Sequence, residues 1–241
     1  MMLPKHLRRW VDQVRHTPLH PQWLLGDSTQ AGAMIRRHAT GLVLDVGCAD
    51  RWAQAAMPAG AHYICLDYPP TGRDRYRAQP DVFADAAVMP LADGCADTVL
   101  LFEVLEHVRH PQQALHEIAR ILRANGRLLL TVPFLYPVHD APYDFQRYTA
   151  HGLAREIAGA GLDLVECEPT LDTARSLGVL ASLGIAALLL QSWRRRRVAL
   201  LIAVPLAAMI PVVNVLAWVV SRLVPSWDGL TTGYRVVAVK Q

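Results

Sequence analysis

A Pro-containing segment at residues 133–153 concentrates side chains that can bind or deprotonate a substrate. Its sequence is PFLYPVHDAPYDFQRYTAHGL. The ordinary pKa of an imidazole lies near neutrality, so His139 can serve as a general base that removes a proton from an acceptor. The guanidinium of Arg147 can clamp a phosphate or a carboxylate of that acceptor. We predict that His139 is catalytic and that the acceptor-binding residues are His139, Tyr143, Asp144, Arg147 and Tyr148.

The same segment also has a structural interpretation. An ion pair between Asp144 and Arg147 would staple the loop, and Thr149 would cap the next helix. The sequence leaves both roles open for Arg147 and favours the functional role for His139. Upstream, the pair Glu106 and His107 is interpreted as an anchor for a helix and not as part of a site.

A second chemical signal is GLVLDVGCADRW, residues 41–52. An apolar strand ends there in Asp45 and is followed by a turn of small residues and then a helix. This order places backbone N–H groups and a carboxylate at the carboxyl edge of a sheet, where charged ligand groups bind. We favour this binding role for Asp45 over the alternative that it only caps the helix.

No metal site is predicted, because the ten histidines are dispersed and lack the spacing of metal ligands. The cysteines form no CxxC pair and indicate the reduced, mostly buried thiols of a cytoplasmic protein. They are Cys48, Cys65, Cys95 and Cys167. The N-terminal residues lack the uninterrupted apolar core of a signal peptide, so no secretion is expected.

The elements that must position these residues alternate between strand and helix. Short apolar runs predict buried parallel strands, and Pro111 and Asn125-Gly126 mark the start and end of a helix. A further helix is expected near 150–160. The predicted strands are 42–46, 62–67, 81–85, 97–101, 127–132, 163–168 and 234–239. This order predicts an α/β fold with a doubly wound sheet.

With these landmarks in order, the sequence resembles the class I S-adenosylmethionine-dependent methyltransferases, in the branch often called type 11. The first motif of that family reads roughly LDVGCGxG, and residues 44–51 read LDVGCADR. The stretches 84–108 and 110–133 match the later landmarks, and the resemblance covers roughly 41–168 and the final strand. It implies a Rossmann-like sheet of seven strands with an antiparallel last strand, and S-adenosylmethionine as cofactor.

The resemblance also assigns roles to single residues. It implies that Asp45 and Gly47 hold the methionine end of the cofactor, that Asp67 bridges the ribose hydroxyls, and that Asp85 accepts from the adenine amino group. Phe102 and Glu103 are expected near the reactive methyl. The full set of expected cofactor-binding residues is Asp45, Gly47, Cys48, Ala49, Arg51, Asp67, Tyr68, Asp85, Ala86, Phe102 and Glu103.

Two positions depart from the family's motif, because its second and third glycines are Ala49 and Arg51 here. If position 49 needs a positive φ, alanine costs about 1 kcal/mol there. Arg51 can pair with the cofactor carboxylate, or it can mark a site that has lost its cofactor. The alternative function is therefore a catalytically inactive, membrane-associated binding or scaffold protein. A nicotinamide-dependent oxidoreductase shares the strand–turn–helix start but does not explain Asp85 or the separated final strand.

An apolar insertion separates the last two strands. Residues 176–193 and 198–221 carry no charge and flank four arginines, Arg194 to Arg197. Each run approaches or exceeds the roughly 20 residues needed to cross a bilayer. Pro205 and Pro211 predict a break in the second run. A helical pair that dips into one leaflet, with its arginines at anionic headgroups, fits better than a simple spanning hairpin. A dimer interface or a substrate lid is the soluble alternative.

The expected domains are an N-terminal helical cap at 1–40, a methyltransferase domain at 41–170 and 226–241, and a membrane-associated helical insertion at 171–225. The composition agrees with a membrane-associated segment, since 52% of residues are apolar and only 19% are charged. A net charge of +3 is too small to imply nucleic acid. We therefore predict a cytoplasmic protein at the inner face of a membrane that methylates a small-molecule or lipid-linked acceptor.

Overall fold

The computed structural model describes residues 13–26, 29–73, 78–195 and 200–241. The chain forms two compact units. The sheet unit comprises residues 28–170 and 233–241, and the helical unit comprises 1–27 and 171–232. Residues 1–12 of the predicted N-terminal helical cap lie outside the described residues.

The sheet unit is built on one sheet of seven strands in the order β3-β2-β1-β4-β5-β7-β6. The strands are β1 (Leu42–Val46), β2 (His62–Asp67), β3 (Val82–Phe83), β4 (Ala96–Phe102), β5 (Leu122–Pro133), β6 (Leu162–Pro169) and β7 (Gly233–Lys240). β7 runs antiparallel to both of its neighbours, whereas the other pairings are parallel. The predicted α/β fold with a final antiparallel strand is confirmed.

The central strands are apolar on both faces because helices and turns cover both sides of the sheet. Neighbouring residues of β1, Val43 and Leu44, belong to different core clusters. In the same way, Leu129 and Leu130 of β5 point into opposite layers. Because both faces of these strands are buried, their sequences are continuous apolar runs and do not alternate between apolar and polar residues.

Three helices of the sheet unit cover those faces: α1 (Thr29–His38), α2 (Pro111–Ile121) and α3 (Ala150–Gly159). α2 begins at the predicted proline and buries Ala114, Ile118 and Ile121. Its predicted length is slightly too great, because Leu122 already has extended backbone and begins β5. At the start of α3, the Thr149 hydroxyl accepts a hydrogen bond from the Gly152 N–H, which is the predicted cap.

The sheet has a topological switch point between β1 and β4. From β1 the chain winds outward to β2 and β3, and from β4 it winds in the other direction to β5. At such a point the connections after neighbouring strands diverge and leave a crevice at the carboxyl ends. The sequences that follow β1, β2 and β4 are therefore placed at one edge of the sheet.

The helical unit contains α4 (Thr173–Arg195), α5 (Leu200–Ala207) and α6 (Ile210–Leu223). The predicted break in the second apolar run is present, since turn residues 208 and 209 separate α5 from α6. α4 and α6 approach closely, because a Cβ on Gly178 would lie 2.6 Å from the Ala217 Cβ. Arg196 and Arg197 lie outside the described residues.

Candidate active site

A cavity of about 280 Å³ lies at the switch point of the sheet unit. Most of the residues named here as bordering the cavity were predicted from the sequence as site residues. They are Gly47, Ala49, Asp67, Tyr68, Asp85, Ala86, Phe102, Glu103 and Tyr143, and His107 lies beside them. They come from the segments after β1, β2, β3, β4 and β5. Because a cofactor and an acceptor must meet in one water-restricted space, this convergence is what a transfer site requires.

The turn after β1 is held in left-handed backbone. Gly47 has φ 82°, Ala49 has φ 45° and Arg51 has φ 61°. At Gly47 a side chain is also excluded by space, since a Cβ would lie 2.3 Å from the Val104 Cγ2. Ala49 thus has a positive φ, which costs an alanine roughly 1 kcal/mol, and all three positions where the family's motif has glycine have left-handed backbone.

Asp67, at the end of β2, ties that turn to the neighbouring strand. Its Oδ2 accepts a hydrogen bond from the Ala49 N–H at 2.9 Å, and its Oδ1 accepts one from the Tyr68 N–H at 2.8 Å. Burial raises the pKa of Asp67, while the two N–H donors act in the opposite direction. A carboxylate held in this way borders the cavity and retains lone pairs for hydroxyl donors of a ligand.

Asp45 and Arg51 are near the turn but do not border the cavity. Asp45 is buried, and its Oδ2 accepts a hydrogen bond from the Tyr63 hydroxyl at 2.5 Å. Burial raises the pKa of Asp45 to about 6. The Arg51 guanidinium binds the Asp81 carboxylate at 2.7 Å instead of facing a cofactor carboxylate. Cys48 is likewise buried beneath the turn, so its side chain contributes packing.

The residues expected on the adenine side, Tyr68, Asp85 and Ala86, all border the cavity. Asp85 is exposed and accepts a hydrogen bond from the Ala87 N–H at 2.9 Å. β3 is shorter than predicted because the chain turns back at Asp85, which forms a bridge with Val88.

On the opposite side, Glu103 follows β4 in left-handed backbone, with φ 55°. Glu103 borders the cavity and is an exposed residue, although protein atoms surround its carboxyl group. This desolvation raises the pKa of Glu103, and the Thr131 side chain, His139 and Arg147 partly offset the increase. Glu103 is thus an acidic residue at the border of the cavity, as the resemblance implied.

Beside Glu103 lies a group of three side chains that we call the Glu–His cluster: Glu106, His107 and His139. Glu106 Oε1 lies 3.6 Å from His107 Nε2 and 3.8 Å from His139 Nε2. The two imidazole ring centroids are 4.8 Å apart. The expectation that all histidines are dispersed is therefore wrong for this pair, because the fold brings together residues 32 positions apart.

Glu106 is the unusual member of the Glu–His cluster. Its side chain is fully buried, and neither carboxylate oxygen has a hydrogen-bond partner among the described residues. Burial and the neighbouring Glu103 carboxyl raise the pKa of Glu106 well above its ordinary range. A residue that only anchors a helix would have its oxygens satisfied, so the structure does not favour the anchoring role inferred from the sequence.

The loop after β5 is docked on the segment that carries Glu106. The Phe145 N–H donates to the Glu106 carbonyl oxygen at 2.9 Å, and the Gln146 side-chain amide donates to the carbonyl oxygens of Leu105 and Val108 at 2.7 and 2.8 Å. These contacts place His139 beside Glu106. No local sequence signal reports such contacts, which is why the sequence missed Glu106 and His107 as site residues.

Arg147 and Asp144 form the ion pair that was the structural alternative for this loop. Arg147 Nη1 and Nη2 lie 2.5 and 2.7 Å from the two Asp144 carboxylate oxygens. The guanidinium also donates to the backbone carbonyl oxygens of Tyr136, Pro137 and Gln146. With its donors used in this way, Arg147 is better placed to hold the loop than to clamp an acceptor. Tyr148 is buried, and only Tyr143 of the two predicted tyrosines borders the cavity.

Sequence relationships agree with this architecture. Residues 44–130 match a family model described as a methyltransferase domain. A Mycobacterium tuberculosis protein named as a probable S-adenosylmethionine-dependent methyltransferase is 32% identical over 96 residues, which are 38% of this chain and 35% of that protein. An uncharacterized methyltransferase of Mycolicibacterium gilvum is 31% identical over 164 residues, which are 58% of this chain and 63% of that protein. The chain thus spans about a third of the length of the first relative.

Solved structures share the fold at low identity. A 1,6-didemethyltoxoflavin-N1-methyltransferase of Burkholderia thailandensis, solved with S-adenosylhomocysteine, is 15% identical with a TM-score of 0.54, and the alignment covers 100% of this chain and 92% of that chain. A phosphoethanolamine N-methyltransferase of Haemonchus contortus is 14% identical with a TM-score of 0.52, over 99% of this chain and 60% of that chain.

Proposed function

Because this chain belongs to the class I S-adenosylmethionine-dependent methyltransferases, with S-adenosylmethionine as cofactor, we propose that it transfers a methyl group to a small-molecule or lipid-linked acceptor. The observation that carries this proposal is the bridge from Asp67 to the Ala49 N–H at the cavity edge. This hydrogen bond holds the turn, in which Ala49 and Arg51 replace the family's glycines, in a shape suited to binding a cofactor. It therefore favours an enzyme over an inactive scaffold.

In this proposal the cofactor lies along the edge from Gly47 to Asp85. The Gly47–Ala49 backbone meets the methionine end, and Asp67 accepts hydrogen bonds from the ribose hydroxyls. Asp85 and Ala86 contact the adenine. Asp45, Cys48 and Arg51 act indirectly in this scheme, because their side chains support the turn from outside the cavity.

The acceptor enters on the side of Glu103, His107 and Tyr143, which border the same cavity. Methyl transfer from a sulfonium is an in-line displacement, so alignment and exclusion of water supply much of the acceleration. An acceptor O–H or N–H must in addition lose a proton, and we assign that task to the Glu–His cluster that contains His139. Asp144 and Arg147 position the loop, and Tyr148 packs beneath it.

Calorimetry with S-adenosylmethionine and S-adenosylhomocysteine tests the cofactor half of this proposal. Asp67→Ala should weaken binding by about 1.5–3 kcal/mol, the range for hydrogen bonds to charged groups. Asp93→Ala is the matched control, since Asp93 is 82% exposed and pairs with Arg120 away from the cavity. If the unmodified protein shows no binding at millimolar cofactor, the enzyme proposal is wrong and the scaffold alternative replaces it.

A second part of the proposal places the helical unit at the inner face of a membrane. Thr173–Trp193 and Leu201–Leu223 are long and apolar enough to cross a bilayer by length and composition, with mean hydropathies of 1.7 and 2.2. Only 22% of each stretch is buried. A core helix of a soluble protein would be mostly buried, so the low burial favours a lipid environment or another apolar partner.

The exposed and buried residues of these helices are segregated. Leu201, Ile202 and Leu223 are 75%, 74% and 76% exposed. On the buried side, the Ser182 hydroxyl donates to Asn214 Oδ1 at 2.9 Å, and the Asn214 amide donates to backbone carbonyl oxygens of residues 18 and 20. The Ser182 and Asn214 side chains are thus satisfied inside the unit while apolar side chains face outward, as in membrane-embedded helices.

Flotation of the full-length protein with vesicles that contain anionic lipid tests the membrane proposal. Ile202→Asp should release protein from the vesicles, because a carboxylate in the hydrocarbon region costs about 2.5–3.5 kcal/mol. Val88→Asp is the matched control, since Val88 is 67% exposed in the sheet unit. If the full-length protein stays soluble at low salt without detergent, the exposed face is a protein interface instead.

A further inference from the structure

We propose that the Glu–His cluster binds a divalent transition-metal ion of the Zn²⁺ class, with Glu106, His107 and His139 as its ligands. Their three ligand atoms all lie within 4.8 Å of one another. One carboxylate and two imidazoles form a donor set suited to zinc and to the neighbouring first-row divalent metals.

The separations within the cluster fit shared ligands better than direct hydrogen bonds. Glu106 Oε1 is 3.6 Å from one imidazole nitrogen and 3.8 Å from the other, and both distances exceed hydrogen-bond length. Ligands at about 2.0–2.2 Å from a tetrahedral ion are about 3.4 Å apart. The two Glu106 separations therefore need to shorten by only a few tenths of an ångström, whereas the two imidazole nitrogens, which lie within 4.8 Å of each other, need a larger approach. A bound ion also satisfies the buried carboxylate that otherwise has no partner among the described residues.

Each imidazole is already oriented as a metal ligand through its other nitrogen. His107 Nδ1 lies 2.7 Å from the Tyr143 carbonyl oxygen. His139 Nδ1 lies 3.3 Å from the Pro137 carbonyl oxygen and 3.4 Å from Asp144 Oδ2. The carbonyl acceptors favour a proton on Nδ1 of each ring, while the Arg147 Nη2 donor, 3.4 Å from His139 Nδ1, acts in the opposite direction there. The Nε2 atoms are the ones that lie near Glu106. Such second contacts accompany metal-binding histidines because they fix the ring and its tautomer.

The ion would keep a coordination position open toward the cavity, since His107 and Glu103 border that space. This part rests on the proposed function. A hydroxyl of the acceptor bound at the open position has a lowered pKa and releases its proton to solvent. Its oxygen then attacks the methyl carbon, the carbon–sulfur bond breaks, and the products are the O-methylated acceptor and S-adenosylhomocysteine. His139 acts here as a ligand, and the acceptor class is a hydroxyl compound.

Metal binding by the full-length protein, stripped with a chelator and titrated by calorimetry without cofactor, tests the site. We expect one equivalent of Zn²⁺, and Glu106→Gln and His139→Ala should each weaken its binding at least tenfold. The control is His116→Ala, because His116 is an exposed histidine of α2. The affinity of this variant for Zn²⁺ should equal that of the unmodified protein. Co²⁺ should give visible absorption bands without the thiolate charge-transfer band that cysteine ligands produce.

Absence of stoichiometric metal, unchanged affinity in the cluster variants, or a thiolate band would overturn the site. If Glu106→Gln does not fold by circular dichroism, His139→Ala decides alone, because its side chain is 29% exposed and tolerates truncation. Cofactor calorimetry on the same samples separates the two proposals. Cofactor binding without metal binding overturns only the metal site, whereas metal binding without cofactor binding overturns only the proposed function.

Discussion

The two sides of the cavity satisfy their polar groups in different ways. On the proposed cofactor side, both oxygens of Asp67 accept backbone N–H groups. On the proposed acceptor side, Glu106 is fully buried and has no hydrogen-bond partner among the described residues. The Asp67 carboxylate therefore has its hydrogen-bond partners within the protein, whereas the Glu106 carboxylate gains a partner only from a ligand or by protonation.

This difference follows from how each side is assembled. The cofactor side uses the backbone of one short turn and the end of the adjacent strand, so its geometry is set with the sheet. The acceptor side joins residues 103–107 to a loop near residue 139, and the Asp144–Arg147 pair holds that loop. We expect substitutions on the two sides to separate loop stability from cofactor affinity.

The largest effect is expected for Arg147→Ala. The Asp144 side chain is only 1% exposed, so removing Arg147 leaves a buried carboxylate that keeps the His139 N–H as a partner but loses its counter-charge. Loss of one member of a buried pair costs about 3–5 kcal/mol, which urea unfolding should detect. Cofactor affinity should stay close to that of the unmodified protein, because the pair lies away from the cofactor edge.

Arg155→Ala is the control for that change. Arg155 is 81% exposed in its pair with Glu156, and such surface pairs contribute about 0–1 kcal/mol. If Arg147→Ala and Arg155→Ala lower the free energy of unfolding equally, Arg147 does not stabilise the loop, and the result favours its role in binding the acceptor. If Arg147→Ala also lowers cofactor affinity, the two sides of the cavity are not independent.

Gly47→Ala is expected to have the next largest effect, on the cofactor side. Its φ of 82° costs an alanine about 1–2 kcal/mol, and its Cβ would collide with Val104. Gly60→Ala has the same φ of 82° but no atom within 4 Å of the added Cβ. Both variants should lose stability in thermal unfolding, and only Gly47→Ala should also lose cofactor affinity, by tenfold or more. Equal affinities would show that the turn does not contact the cofactor.

Asp45→Asn tests the buried support beneath the turn through its pH dependence. The pKa of Asp45 is raised from 3.8 to about 6 in the folded protein. The folded state therefore binds more protons between these values, and this group's contribution to stability falls as pH rises from about 4 to about 6. Relative to the unmodified protein, the asparagine variant should gain stability over that interval, by at most about 3 kcal/mol at 1.36 kcal/mol per pKa unit.

The control for this pH profile is Asp81→Asn. Binding to the Cys65 N–H and to Arg51 lowers the pKa of Asp81, so its stabilising contribution is lost only as pH falls below the ordinary carboxyl range. The two variants should hence differ from the unmodified protein in opposite pH windows. If the difference in unfolding free energy between Asp45→Asn and the unmodified protein does not change between pH 4 and 6, the pKa of Asp45 is not raised in the folded protein.

The smallest effect is expected for Ala49→Gly. Ala49 has φ 45°, and a glycine there relieves left-handed strain. Thermal unfolding should show a gain of up to about 1 kcal/mol, reduced by the greater freedom of glycine in the unfolded chain. Ala55→Gly, in the helical turn Trp52–Ala56, should instead lose about 0.5–1 kcal/mol. A loss at both positions would mean that the alanine at 49 is not strained.

The sequence by itself determined the order of strands and helices and the position of the turn after β1. β1 and β2 begin and end at the predicted residues because each is a short apolar run bounded by turn residues. Because the family has glycine at position 49, the sequence identified it as a position where a positive φ would matter, and the structure has φ 45° there. These features depend on neighbours along the chain and on burial of both sheet faces, and both leave a local pattern in the sequence.

Only the tertiary structure decided which way the polar side chains point. Arg51 turns to Asp81 and Arg147 to Asp144, although each guanidinium had a ligand-binding interpretation from sequence. Glu106 and His139 meet because the loop after β5 docks on the backbone after β4. The choice among such partners depends on distances across the fold, which are set when separate elements pack and leave no periodic trace in the sequence.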